Sequence, residues 1–215
     1  MKMSSIIKRL QGRFRRRRMD LFASAFGIKD ATRIVDLGGL PWNWSLLEQR
    51  PEVTMVNLEG SDDYATQSGY LDALKHKMII YDGQVVPFPD NSFDICYSNS
   101  VIEHVGDSSA VARFASEVKR LAPRYFVQTP NRWFILEPHF ICLFVHWLPL
   151  RLRRPIIGWF SLYCWMNKAG QDQVDELLHD IKLLSVKDMR RLFPDAEIIR
   201  ERFFGLTKSI IAVKR

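Results

Sequence analysis

Residues 33–39, Arg33-Ile34-Val35-Asp36-Leu37-Gly38-Gly39, read as a buried strand that stops at a glycine pair. The apolar run is strand length, and the glycines end it. Outward from it, strands alternate with helices. A short helix is expected at Trp44–Gln49, then strands at Val53–Leu58, Met78–Tyr81, Phe93–Ser98 and Tyr125–Thr129. A helix is predicted over Tyr64–Lys75. A second starts from a cap at Asp107 or Ser108 and carries Val111, Phe114, Val118 and Leu121 on one face. A further helix is expected at Ser185–Leu192. Two last strands, Glu197–Phe204 and Thr207–Val213, meet at Gly205-Leu206, a link short enough for a hairpin. This order predicts an α/β fold: a Rossmann-like, doubly wound, mostly parallel seven-stranded sheet with an antiparallel C-terminal hairpin. The stretch 131–182 breaks the pattern and is expected to form a helical lid insertion.

In such a sheet a ligand sits at the carboxyl ends of the strands, near the point where strand order reverses. Each end here carries glycine or polar residues. Asp36, Gly38 and Gly39 follow the first strand, where glycines let the backbone approach a ligand closely. Asn57 and Glu59 follow the second, and an acid there can accept from ribose hydroxyls. Asp82-Gly83 follows the third, suited to an exocyclic amine and a ring nitrogen. Ser98 and then Glu103-His104 follow the fourth.

The stretch Asp82-Gly83-Gln84-Val85-Val86-Pro87-Phe88-Pro89-Asp90-Asn91-Ser92-Phe93-Asp94, continued by Val101-Ile102-Glu103-His104-Val105, resembles class I S-adenosylmethionine-dependent methyltransferases of the small-molecule type, close to methyltransferase type 11. Glu117-Val118-Lys119-Arg120-Leu121, Thr129-Pro130-Asn131-Arg132 and the terminal hairpin support the likeness, which covers roughly 31–130 and 183–215. The resemblance implies S-adenosyl-L-methionine as cofactor. It places Gly38 and Gly39 against the methionine part, with Asp36 orienting their loop. It puts Asn57 or Glu59 on the ribose, Asp82 and Gly83 on the adenine, and Ser98 on the pocket floor. The family loop runs Asp-x-Gly-x-Gly-x-Gly, whereas here Leu40 and Trp42 stand at two glycine positions. The second strand, which usually ends in an acid, ends here in Asn57.

An oxygen acceptor for the methyl group can need a general base. His104, beside Glu103, is the first candidate and His139 the second. For His139 and His146 the structural reading is favoured, and His104 admits it equally with the catalytic one. The expected function is methyl transfer to a small-molecule acceptor, of which a sugar or a lipid-linked compound is one class. The alternative is a non-catalytic binding or scaffold protein with a degenerate cofactor loop. A nicotinamide-dependent oxidoreductase fits poorly, because the loop lacks G-x-G-x-x-G.

The net charge of +7 is uneven. Residues 1–18 hold eight Lys or Arg and no acid, leaving 23 basic against 24 acidic residues in the rest. That argues against a broad nucleic-acid face and assigns the charge to a basic, helical N-terminal arm, residues 1–30, ahead of a methyltransferase domain at 31–215. Ile6, Ile7, Leu10 and Phe14 fall at helical spacing in that arm. It reads either as a solvated lead-in helix or as a basic amphipathic helix on anionic lipid. Residues 140–160, with Arg151, Arg153 and Arg154 beside aromatic runs, read either as a hydrophobic lid packed on the sheet or as a surface that dips into a membrane with those arginines at the head groups. Cys96, Cys142 and Cys164 form no paired framework and no zinc-type metal cluster is visible by spacing, so no metal is expected. The expected location is the cytoplasm, with any membrane contact at the inner face.

Overall fold

The computed structural model describes residues 2–58, 76–167 and 181–215, together with positions 172, 174, 175 and 178. The predicted helix at 64–75 and the candidate Glu59 lie outside these residues. Helix α1 spans Lys2–Phe26. Strand β1 (Arg33–Leu37) leads through the glycine pair into α2 (Pro41–Trp44), and β2 (Glu52–Leu58), β3 (Lys77–Tyr81) and β4 (Ile95–Asn99) follow. Helix α3 (Ser108–Leu121) connects to β5 (Arg124–Pro130). The insertion then forms a small hairpin, β6 (Leu136–Glu137) and β7 (Cys142–Leu143), and helices α4 (Leu150–Phe160) and α5 (Leu162–Asn167). The chain closes with α6 (Val186–Leu192), β8 (Glu197–Phe203) and β9 (Leu206–Lys214).

The main sheet has seven strands in the order β3-β2-β1-β4-β5-β9-β8. The first five run parallel, and β9 lies antiparallel to both β5 and β8. Strand order reverses at β1, which pairs with β2 on one side and β4 on the other. The carboxyl ends of β1 and β4 therefore flank the crevice expected of an open α/β sheet.

Both faces of the sheet are covered. On one, Val111, Phe114, Val118 and Leu121 of α3 pack with Met189 and Phe193 against Val35, Cys96 and Val127. On the other, Met19, Phe22 and Phe26 of α1 pack with Trp44 against Ile34, Tyr97 and Phe126. Phe22 is fully enclosed by the rings of Phe26, Trp44, Tyr97 and Phe126. The second half of α1 is thus part of the core, and the helix extends well beyond the apolar positions that signalled it. Its arginines divide accordingly. Arg13, Arg16 and Arg17 stay in solvent, while Arg18 is buried 3.6 Å from Glu201 and Arg15 covers the Trp42 ring at 4.5 Å.

Two expectations are corrected at element ends. The short helix occupies Pro41–Trp44, not Trp44–Gln49, because Pro41 sits in its first turn, where a missing N–H costs nothing. The terminal hairpin turns through Phe204-Gly205, one residue earlier than expected. Both residues have positive φ (46° and 81°), the backbone a two-residue hairpin link demands.

Candidate functional site

The β1 loop is built around Asp36. The residue is buried, and its Oδ2 accepts from the Trp44 indole N–H at 2.8 Å. Oδ1 has no partner among the described residues. Burial pushes the carboxyl up to about 7, with the indole hydrogen bond opposing that rise. Gly38 has φ +73°, and a Cβ there would lie 2.5 Å from a Val101 methyl. A Cβ on Gly39 would fall on the Asp36 carboxylate. Both glycines are therefore required by the fold of the loop itself.

Leu40 and Trp42, the departures from the glycine-rich pattern, have structural work. Leu40 takes the extended N-cap position of α2, and Trp42 lies within α2 beneath Arg15. Asn57 is buried and its amide donates to the Gly39 carbonyl at 3.0 Å. Ser98, also buried, donates to the Leu37 carbonyl at 3.1 Å. Both candidates brace the loop from below.

At the end of β3, Asp82 is exposed and its Oδ1 accepts from the Gln84 N–H at 2.9 Å. Gly83 has φ +81°, and a Cβ there would sit 2.9 Å from Leu58. The following segment is clamped onto α3. Arg120 donates to the Phe88 and Val86 carbonyls, and Glu117 accepts from the Val86 N–H at 3.0 Å. Arg120 also pairs with Glu117 at 2.7 Å and with Asp90 at 3.2 Å. A cleft opens at these strand ends, lined among others by Leu37, Leu58, Tyr81, Gly83, Val86 and His104.

The three candidate catalytic residues come together, although His139 is far from the other two in sequence. One ligand-type atom from each of Glu103, His104 and His139 lies within 4.8 Å of the others. The His104 and His139 rings meet edge to face, 4.8 Å between centroids. Glu103 is fully buried, its Oε2 accepts from the Thr129 hydroxyl at 3.0 Å, and Oε1 has no partner among the described residues. Burial pushes its carboxyl up to about 7. Nδ1 of His139 lies 2.6 Å from Glu137 Oε1, and Glu137 also accepts from the Phe140 N–H. Burial draws the His139 pKa down, but the Glu137 hydrogen bond and the nearby carboxylates outweigh it, so the net shift is upward. Sequence reasoning passed over Trp44 and Thr129, the groups that hold Asp36 and Glu103. Their positions, in α2 and at the end of β5, were the available signal.

A second cavity lies against the insertion. Glu137, Phe140, Val145 and Ile157 line it together with the cations Arg132 and Arg153.

Residues 39–123 match the family model described as a methyltransferase domain. The chain has the class I S-adenosylmethionine-dependent methyltransferase fold. It is similar to a S-adenosylmethionine-dependent methyltransferase from Aquifex aeolicus (13% identity, 90% of this chain and 87% of that one, TM-score 0.52). It also resembles the N-terminal domain of EvdMO1, solved with S-adenosylhomocysteine and D-fucose present (18% identity, 94% and 82%, TM-score 0.55). A third match is the [4+2]-cyclase SpnF (14% identity, 86% and 58%, TM-score 0.54). No curated protein sequence matches the chain significantly. At these identities the likeness carries the fold, and the cyclase shows that the fold alone does not name the reaction.

Proposed function

We propose that the protein transfers a methyl group from S-adenosylmethionine to a small, partly anionic acceptor of the sugar or lipid-linked class. One observation carries this reading: the Glu103, His104 and His139 cluster connects to both the cleft at the ends of β1 to β4 and the lid cavity. His104 lines the first and Glu137, bonded to His139, lines the second. A cofactor in the cleft would direct its methyl group toward an acceptor in the cavity. Positioning of that kind can supply roughly 7–11 kcal/mol of the barrier.

The cofactor roles assigned to Asp36, Gly38, Gly39, Asp82 and Gly83 belong to this proposal. Asn57 and Ser98 act in it through the loop they brace. The non-catalytic reading rested on Leu40 and Trp42, and their structural roles, Leu40 as the N-cap of α2 and Trp42 within it, weaken that support. Purified protein should melt roughly 5–10 °C higher with S-adenosylhomocysteine at about 100 times its Kd, and should not respond to NAD. Asp82→Ala should reduce that shift, while Asp82→Asn keeps the side-chain turn to Gln84 and isolates the role of charge. An unchanged shift in Asp82→Ala would move the adenine elsewhere.

The acceptor class is argued from the lid. Arg132 and Arg153 offer its cavity a cationic side, and Phe140, Val145 and Ile157 an apolar one. Helix α4 buries Ile157 and leaves Leu152, Trp159 and Phe160 in solvent, and Trp165 follows on α5. Trp159, Phe160 and Trp165 are 82%, 74% and 83% exposed, and Arg151 and Arg154 of α4 are exposed as well. Aromatic rings flanked by arginine suit the interface of an anionic bilayer. Among the described residues no helix is long and apolar enough to cross a membrane, so the contact would be peripheral. In flotation, the protein should rise with vesicles containing anionic lipid, and Trp159→Ser/Phe160→Ser should leave most of it at the bottom. Equal flotation of parent and variant would remove the lid from the membrane contact.

A further inference from the structure

We propose that Glu103, His104 and His139 form a binding site for one divalent metal ion of the zinc class, beside the strand-end cleft that His104 lines. The three side chains offer one oxygen and two nitrogen ligands, all within 4.8 Å of one another. Ligands at ordinary metal–ligand lengths of ~2.0–2.2 Å stand at most ~4.4 Å apart, so the side chains would draw together by some tenths of an ångström on binding.

Two further observations favour a cation. Glu103 is fully buried and its Oε1 has no partner among the described residues, while Oε2 is held by the Thr129 hydroxyl. An ionised carboxylate in such a place is costly unless a cation meets it. His139 carries the support that metal-binding imidazoles ordinarily have. Glu137 accepts at Nδ1, which leaves Nε2 as the nitrogen with a lone pair. Glu137 is itself fixed by the Phe140 N–H, so the imidazole is oriented in advance.

Two imidazoles and one carboxylate select a transition ion over magnesium or calcium, whose preferred ligands are all oxygen. Three protein ligands also leave a coordination position for water or substrate. The metal assignment stands independently of methyl transfer. Its use there, to bind an acceptor hydroxyl and lower its pKa, rests on the methyltransferase reading.

The test is equilibrium dialysis of chelator-treated full-length protein against Co²⁺ and Zn²⁺, with the visible ligand-field spectrum of the Co²⁺ form. We expect one equivalent bound, a spectrum of low coordination number, and loss of both in Glu103→Gln and His139→Ala. Glu137→Gln should weaken binding about 10–100-fold. His104 is exposed, so His104→Ala serves as a variant whose fold is not at risk. His146→Ala, which lies outside the cluster, should bind as the parent does. Failure of the parent to retain an equivalent, or full retention by His104→Ala and His139→Ala, would overturn the site. The melting shift with S-adenosylhomocysteine, measured on the same samples, separates the two proposals. A shift without metal binding removes only the metal, and metal binding without a shift removes only the methyltransferase reading.

Discussion

Gly39→Ala is expected to abolish S-adenosylhomocysteine binding and to lower the melting temperature of the free protein. The added Cβ would overlap the side chain of Asp36, which is buried and tied by Trp44. Overfilling of this kind costs about 1–3 kcal/mol, which for a domain of this size is roughly 2–12 °C. The loop cannot relax freely. Gly39's carbonyl is held by Asn57, and Gly38's N–H by the Val56 carbonyl at 2.8 Å. The atoms in the way are all in one side chain, so the account makes a sharper demand. Gly39→Ala/Asp36→Ala should be more stable than the sum of its two single variants by roughly 0.5–3 kcal/mol. It should still bind more weakly than the parent, because the loop has lost its carboxylate. Strict additivity in this cycle would mean that the glycine is needed for some reason other than room beside Asp36.

The parts of the molecule that were legible in the sequence are those with a period or a repeated local chemistry. The strand ends and the buried face of α3 follow from spacing alone. The stretch from Asp82 to Asp94 is the clearest family signal, and the structure explains why. Val86 to Asp90 is clamped onto α3 by Arg120 and Glu117, so its residues are fixed by shape as much as by ligand. The lid was not legible. Its helices are short, α4 contains Pro155, and its small core of Phe140, Val145, Ile157 and Cys164 is assembled from separate turns. Site chemistry divided in the same way. Glu103-His104 could be found by position after β4, but their approach to His139 depends on the lid's path. The side-chain bonds that direct Asn57 and Ser98 into the loop are tertiary and leave no mark on spacing. Nor did charge separate Arg18, which is buried beside Glu201, from its exposed neighbours in the same run.

The second large effect concerns pH and again centres on Asp36. Its carboxyl is pushed up to about 7 from an ordinary 3.8, chiefly by burial. Below that ordinary value the group is protonated in both folded and unfolded chains and contributes nothing. Between 3.8 and about 7 the folded protein keeps a proton that the unfolded chain has released. Stability therefore falls as pH rises through this window, by at most on the order of 4 kcal/mol at roughly 1.4 kcal/mol per unit. Cys96 and Tyr97, the other titratable groups close to Asp36, are both raised and stay neutral across the window. Asp36→Asn should remove its share, so that its melting temperature declines less between about pH 4 and pH 7 than the parent's. The amide oxygen can still accept from Trp44, which keeps the loop anchored in the variant. Binding should show the opposite trend. The cofactor carries a cationic amino-acid group, and an ionised Asp36 favours it. Affinity for S-adenosylhomocysteine should then climb as pH rises toward and past 7, with proton release visible by calorimetry in buffers of different ionisation enthalpy. A parent and an Asp36→Asn variant with the same pH slopes in both measurements would show that Asp36 is not the group that titrates.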